Sequence, residues 1–316
     1  MTKPLVAVTG ASGFLGRQLV PALSAEGFSI RALIRRDPVH PLWRGLEPEI
    51  VIGDLETDDS LERLCDGAVA VVHGAALIKA KSRRHFDAIN TLGAERVARA
   101  ADRGGASRMV LISSLAAREP HLSDYAHSKR QAENAVRAVM GERLCVVRPP
   151  ALYGPGDRET LQLFQAASRS PIVPVFSPAA RIALMHVQDA ARQIAFLTAA
   201  SAHRSHATLS DDRPGGYNWL EIVQSASRAV GKAPKVTPLP GAVLTVAGLA
   251  GSVSRLFGAA PILTIGKSRE LRHLDWSVRP EEQCFDLPKP FFPLNDGLAE
   301  TAAWYIKAGW LRAPSA

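Results

Sequence analysis

The sequence predicts an α/β fold: a doubly wound parallel sheet joined to a smaller, mostly helical C-terminal domain. Three observations carry this. Apolar runs rich in β-branched residues alternate with helix-period segments through the first half. The first such run ends in three glycines spaced by three, Gly10, Gly13 and Gly16. After Pro150 the alternation stops, and turn residues, short helices and aromatics take over.

Taken in order, "LVAVTG" is a continuous apolar run, as a strand covered on both faces requires. "FLGRQLVPALSAEG" has helical periodicity and stops at Gly27, a C-cap signal. "SIRALIR" and "EIVIGD" read as the second and third strands, and "DDSLERLCDG" as a short helix. "AVAVVHGAA" is the fourth strand, with Val69 to Val72 at its core. "HFDAINTLGAERVARAADRGG" reads as one long helix closed by Gly104 and Gly105. "RMVLISS", "SDYAHSKRQAENAVRAVMG" and "LCVVRPP" follow as strand, helix and strand. "IALMHVQDAARQIAFLTAA" returns one more strand or loop and helix to the first domain. From about Ser201 the chain reads as helix-rich and irregular. The expected nucleotide domain is therefore 1–155 plus about 181–200, and the expected substrate domain about 156–180 plus 201–316.

The 316 residues carry 38 basic and 30 acidic side chains, a formal charge of +8. Arginines are scattered along helices, which reads as a solvated basic surface that also suits an anionic cofactor or substrate. Cys65, Cys145 and Cys284 have no paired spacing, which argues against a disulfide framework or zinc site and suits a reducing, cytoplasmic compartment. No secretory signal is expected at "MTKPLVAVTG". The weakly charged stretch Gly241 to Gly266 is broken by glycines, Arg255 and Pro261, too soon for a membrane span.

A strand that turns into a helix through glycines suits a dinucleotide. Glycine at the turn permits positive φ, and a missing Cβ lets a pyrophosphate approach the helix N-terminus. Ser12 adds a hydroxyl, and the pattern marks a Rossmann-type, NAD(P)-binding domain. The second strand ends in Arg35 and Arg36, where NAD sites commonly carry a carboxylate, so the expected cofactor is NADP. Asp37, slightly further along, keeps NAD as the alternative. Asp54 after the third strand suits the adenine amino group or a helix cap.

"YAHSK" sets Tyr125 and Lys129 four apart, on one helix face. An ammonium there draws the phenol, whose ordinary pKa is ~10, toward the working range. Ser113 and Ser114 end the fifth strand at the sheet's carboxyl edge, where open α/β folds bind ligands. His73 reads as a strand-end core histidine rather than a metal ligand, and no metal site is expected. Trp276, Trp304, Tyr305 and Trp310 read as packing of a small domain.

The segments "TGASGFLG", "GDL", "HGAA", "NTLGAERVARAA", "ISSLAA", "YAHSK", "RPPALYGPGD" and "MHVQDAA" resemble, nearly end to end, the extended short-chain dehydrogenase/reductase superfamily. That group holds NAD-dependent epimerases and dehydratases, 3β-hydroxysteroid dehydrogenases and dihydroflavonol-type reductases. The resemblance implies Tyr125 as proton donor and acceptor, Lys129 as its activator and ribose ligand, and Ser114, or else its neighbour Ser113, as the carbonyl-binding hydroxyl. For the cofactor it implies Gly10, Gly13 and Gly16 at the pyrophosphate turn, with Ser12, Phe14 and Leu15 among them. Arg35 departs from the acidic residue of the tightly NAD-holding epimerases, and with Arg36 it is expected on the ribose phosphate. Asp54 and Leu55 would lie at the adenine, with Ala75, Ala76, Asn90 and Ser113 along the channel. Pro149 and Leu152 would flank the nicotinamide beside Tyr125 and Lys129. His186 and Asp189 match a segment that supports structure rather than catalysis.

The loop from Ser114 to Tyr125 lacks the V-Y-G found in many sugar epimerases, and the C-terminal "GKSRELRHLDWSV" is similar to steroid- and flavonol-type members. The expected function is hydride transfer between NADP(H) and a ketone or secondary alcohol of a fairly apolar small molecule. The alternatives are a nucleotide-sugar epimerase or dehydratase, and a non-catalytic NADP-binding assembly or RNA-associated member. The second is disfavoured because both Tyr125 and Lys129 remain. The expected partners are a small-molecule substrate and no nucleic acid, with no transmembrane segment and a homodimer as the candidate assembly.

Overall fold

The computed structural model describes residues 2–36, 40–175, 177–199, 204–238, 243 and 265–313. Two compact units emerge. The first comprises Met1–Pro149, Ala190–Leu209 and Cys284–Pro288, and the second comprises Pro150–Asp189, Ser210–Gln283 and Lys289–Ala316.

The first unit is built on β1 (Leu5–Thr9), β2 (Ser29–Ile34), β3 (Glu49–Ile52), β4 (Ala70–His73), β5 (Arg108–Ile112), β6 (Leu144–Arg148) and β11 (His206–Thr208). They form one seven-stranded sheet in the order β11-β6-β5-β4-β1-β2-β3. Every neighbouring pair is parallel. Helices α1 (Phe14–Ala25), α2 (Asp58–Cys65), α3 (Arg83–Phe86), α4 (Gly93–Arg103), α5 (Asp124–Met140) and α7 (Val187–Ala199) supply the crossovers. This is the Rossmann-type doubly wound arrangement. Strand-order reversal lies between β1 and β4, so the carboxyl ends of these two strands frame the crevice in which such sheets bind ligands.

The core follows from the sequence pattern. The central strands are buried along their length, Met109, Val110 and Leu111 being fully enclosed. Leu61 and Leu64 of α2, Val97, Ala98 and Ala101 of α4, and Val136 and Met140 of α5 close one face.

Several expected boundaries move. Val69 precedes β4 and is exposed, because the strand begins at Ala70. The long helix is interrupted by a π-helical segment, Asp87–Leu92, between α3 and α4. Beyond Ser201 the chain is less irregular than its composition reads: residues 206–208 add a seventh strand beside β6. That segment therefore falls in the first unit, whereas the ends of the expected nucleotide segments, 150–155 and 181–189, fall in the second.

The second unit holds α6 (Leu161–Arg169), α8 (Trp219–Ala229), α9 (Ile265–Arg272) and α10 (Leu294–Lys307). Three short parallel pairs accompany them. These are β7 (Ala151–Tyr153) with β10 (Leu184–His186), β8 (Ile172–Val175) with β12 (Lys235–Pro238), and β9 (Arg181–Ile182) with β13 (Asp275–Trp276). Tyr153, Phe164, Tyr217 and Tyr305 anchor its core, with Trp304 and Trp310 packed against it. The aromatics at the C-terminal end are thus packing residues. Most of the apolar stretch Gly241 to Gly266 lies outside the described residues. Among the described residues, no helix is long and apolar enough to cross a membrane.

Candidate active site

The glycine turn sits at the carboxyl end of β1. Gly10 has φ +76, and a Cβ there would meet Ala75 N and Gly74 C at 2.6 Å. A Cβ on Gly16 would meet Gly10 O at 2.1 Å, so these two glycines are demanded by close backbone packing. Gly13 differs. It is exposed at the N-cap of α1, and its Cβ would meet only Gly10 O, at 3.1 Å. Packing leaves that glycine unexplained, while an anionic group seated on the unpaired N–H donors of the helix start would explain it. Ser12 beside it is exposed, and Phe14 and Leu15 are half-buried in the first turn.

Beneath the turn, Thr9 Oγ1 and His73 Nδ1 share a hydrogen bond of 2.7 Å, and Ala75 N donates to Thr9 Oγ1 at 3.3 Å. Burial drives the His73 pKa down to about 3, with the Lys129 charge adding to it. His73 is therefore a neutral core residue that fixes the β4 exit. Among the described residues, no group of three or more His, Cys, Asp or Glu side chains could hold a metal ion.

A cleft of about 720 Å³ opens at the ends of β2 and β3, lined by Ser12, Arg17, Arg35, Arg36, His40, Trp43 and Asp54 among others. Arg35 and Arg36 are exposed there. Arg17 Nε donates to Ser12 O at 2.9 Å, and Trp43 Nε1 donates to Arg17 O at 3.3 Å. Burial and the Arg17 charge hold His40 below its ordinary pKa. Asp54 Oδ1 accepts from Glu56 N and from Thr57 Oγ1, both at 2.9 Å, in an Asx turn leading into α2. Those two hydrogen bonds, then Arg35, depress its pKa. Leu55 is buried against Gly93. Asp37 lies outside the described residues.

Helix α5 is capped by Ser123, whose hydroxyl accepts from Ala126 N at 3.0 Å, and this places Tyr125 in the first turn. The Tyr125 ring lies 6.2 Å from that of Phe86. One turn further, Lys129 is buried and its Nζ donates to Ile112 O, the last carbonyl of β5, at 2.7 Å. Burial lowers the Lys129 pKa to about 8, and Glu133 opposes that shift.

The two serines after β5 behave differently. Ser113 is buried and donates to Glu133 Oε1 at 2.5 Å. Glu133 is also gripped by Arg148, Nε to Oε1 at 2.8 Å and Nη2 to Oε2 at 2.6 Å. Despite burial, these partners hold the Glu133 carboxyl below its usual range. Ser114 is half-buried and its Oγ accepts from Ala116 N at 3.1 Å, which leaves its own proton to donate.

Asn90, in the π-helical segment, is a buried tie. Its Nδ2 donates to Leu77 O at 3.0 Å and Ser128 Oγ at 2.9 Å, and its Oδ1 accepts from Leu77 N at 2.7 Å. It thereby fixes the loop carrying Ala75 and Ala76 against α5. Pro149 is buried, and its carbonyl accepts from Leu115 N at 2.9 Å. Leu152 belongs to the second unit, on β7. In that unit the Asp189 carboxylate accepts from Phe291 N at 2.9 Å and Phe292 N at 3.0 Å, and the His186 ring packs at a 36° tilt against that of Phe292, centroids 4.0 Å apart. These contacts give the pair a supporting role.

Sequence reasoning missed Glu133, Arg148, Arg17, His40 and Trp43. Glu133 was within reach of it, being one further turn along the Tyr125–Lys129 face. The two ring residues depend on a loop whose path the sequence does not reveal.

A glycine turn at the switch point, a tyrosine and buried lysine on one helix, and a serine-tipped β5 define the extended short-chain dehydrogenase/reductase class. Residues 6–208 match the model of the NAD dependent epimerase/dehydratase family. The chain belongs to that family and is an NAD(P)-dependent enzyme of the reductase and dehydrogenase class. It is 47% identical over 308 residues to a ceramide reductase of Caulobacter vibrioides, covering 97% of this chain and 96% of the relative. It is also 34% identical over 179 residues to a 4-hydroxy-2-methyl-3-oxo-4-farnesyl-3,4-dihydroquinoline-1-oxide ketoreductase of Stigmatella aurantiaca, covering 50% of this chain and 54% of the relative. In fold it resembles the dTDP-glucose 4,6-dehydratase DesIV of Streptomyces venezuelae, solved with NAD and TYD bound. The TM-score is 0.73 at 19% identity, covering 98% of this chain and 99% of that one.

Proposed function

We propose that the protein is an NADPH-dependent reductase that converts a ketone of a ceramide-type lipid to the secondary alcohol. The observation that carries the chemistry is the buried Lys129 ammonium one turn from Tyr125 at the end of β5. The substrate class rests on the 47% identity, over nearly all of both chains, to a protein named ceramide reductase. The relative named as a ketoreductase of a farnesylated quinoline supports an apolar ketone as well.

Gly10, Ser12, Gly13 and Gly16 would hold the pyrophosphate. Arg35 and Arg36, with Arg17 beside them, would hold the ribose 2′-phosphate, and Asp54 would face the adenine. When bound, the dinucleotide supplies the hydride that reduces the carbonyl carbon. Tyr125 gives its phenolic proton to the carbonyl oxygen, so that carbon gains hydride, oxygen gains a proton, and an alcohol results. Lys129 stabilises the phenolate left behind, which regains its proton from solvent. Ser114 donates a hydrogen bond to the same oxygen as negative charge grows on it.

The test is a substrate screen followed by nicotinamide absorbance and product mass. Stoichiometric NADPH consumption with a ceramide-type ketone supports the reading. Turnover of a nucleotide sugar with no net change in absorbance would replace it with epimerisation.

A further inference from the structure

The loop leaving β4 carries a charge cluster that the proposed chemistry does not use. From 79 to 87 the sequence reads "KAKSRRHFD": Lys79, Lys81, Arg83 and Arg84 against Asp87, a net +3 of the chain's +8, with His85 beside them. Lys81, Arg84 and His85 are exposed, and Ile78 just ahead of them is 59% exposed. An apolar side chain presented to solvent beside basic residues suits a lipid–water boundary better than bulk water.

The cluster is held against the helix that bears Tyr125. Arg83 Nη2 lies 2.6 Å from His127 Nε2, and Arg83 Nε lies 3.8 Å from an Asp87 oxygen. Phe86 is buried with its ring against that of Tyr125, and Asn90 ties Leu77 to Ser128. The segment that carries these charges is therefore packed against the first turns of the helix bearing the candidate acid.

We propose that this loop docks the enzyme on an anionic phospholipid surface and presents the Tyr125 edge to substrate held in the bilayer. The inference rests on the ceramide-type reading for its purpose, but docking itself is measured without turnover. A basic residue near an anionic leaflet is worth about fivefold in partitioning, and the attraction decays within a Debye length, about 10 Å at 0.1 M salt.

The experiment is co-sedimentation of the full chain with vesicles of pure phosphatidylcholine, or of phosphatidylcholine with one quarter phosphatidylglycerol. The parent should pellet with the anionic vesicles at low salt, stay in solution with neutral ones, and be released by high salt. Lys81→Gln combined with Arg84→Gln should cut partitioning about 25-fold, at about fivefold per charge. NADPH affinity and melting temperature should stay at parental values, showing an intact fold. Equal binding to both vesicle types, or parental binding by the double variant, overturns the proposal. So does tighter binding to a single-stranded oligonucleotide that the same substitutions abolish. If docking is found but no ceramide-type ketone is reduced, only the substrate assignment fails.

Discussion

Ser113 donates its hydroxyl to Glu133 at 2.5 Å, and with that bond made only the second of two adjacent serines keeps a free proton. Glu133 is itself clamped by Arg148 from the neighbouring strand, so the bond joins β5, β6 and α5 in one buried network. Ser114→Ala should lower kcat by about 10²–10³, the usual loss of an oxyanion donor. Ser113→Ala should instead cost about 1–3 kcal/mol of stability, because a buried carboxylate loses a donor, with kcat nearly kept. Steady-state kinetics beside urea unfolding separate the two, and a reversed pattern would exchange their roles.

The glycines give a second contrast. Gly16→Ala drives a methyl into Gly10 O at 2.1 Å and should prevent a stable fold. Gly13→Ala meets only a 3.1 Å contact, so the fold should survive while dinucleotide affinity falls at least about tenfold. Thermal unfolding and a fluorescence titration with NADPH check both.

On the proposed reading, cofactor choice turns on Arg35 and Arg36. A charge-assisted contact to a phosphate is worth about 1.5–3 kcal/mol, or about ten- to a hundredfold. Arg35→Ala should weaken NADPH binding by that factor and leave NADH nearly unchanged, and the double substitution with Arg36→Ala should show the full effect. Equal parental affinity for NADH and NADPH would mark the arginines as surface charges.

Lys129 makes stability depend on pH in an unusual direction. Burial lowers its folded pKa to about 8, whereas an unfolded lysine titrates near ~10.4. Between about pH 8 and 10.5 the unfolded chain binds more protons, so this group's contribution to stability rises with pH across that window. The stability of the parent minus that of Lys129→Met, from urea unfolding, should therefore climb by roughly 1–3 kcal/mol between pH 7 and 10. A flat or falling difference would mean that the ammonium is solvated or firmly ion-paired.

The sheet was legible because its strands are covered on both faces and announce themselves as apolar runs, and because glycine spacing marks the first turn. The strand at 206–208 was not legible. It spans three residues, His206, Ala207 and Thr208, and its place is set by pairing with β6 rather than by its own pattern. The tyrosine, lysine and serine positions were readable from spacing along one helix and one strand end. Which serine is tied off was not, since Glu133 and Arg148 meet Ser113 only through packing of three distant segments. His40 and Trp43 entered the candidate cofactor cleft through a loop whose path no local periodicity encodes.

If Tyr125 supplies the proton in an NADPH-driven ketone reduction, Tyr125→Phe should stop turnover without loosening the cofactor. The substitution keeps the ring against Phe86 and removes only the ionisable hydroxyl. Turnover of a ceramide-type ketone should be measured with NADPH affinity on the same preparation. The variant's kcat should fall by about 10³ or more, with its NADPH dissociation constant within a few-fold of the parent's. A variant that reduces the ketone at the parental rate would contradict that role for Tyr125.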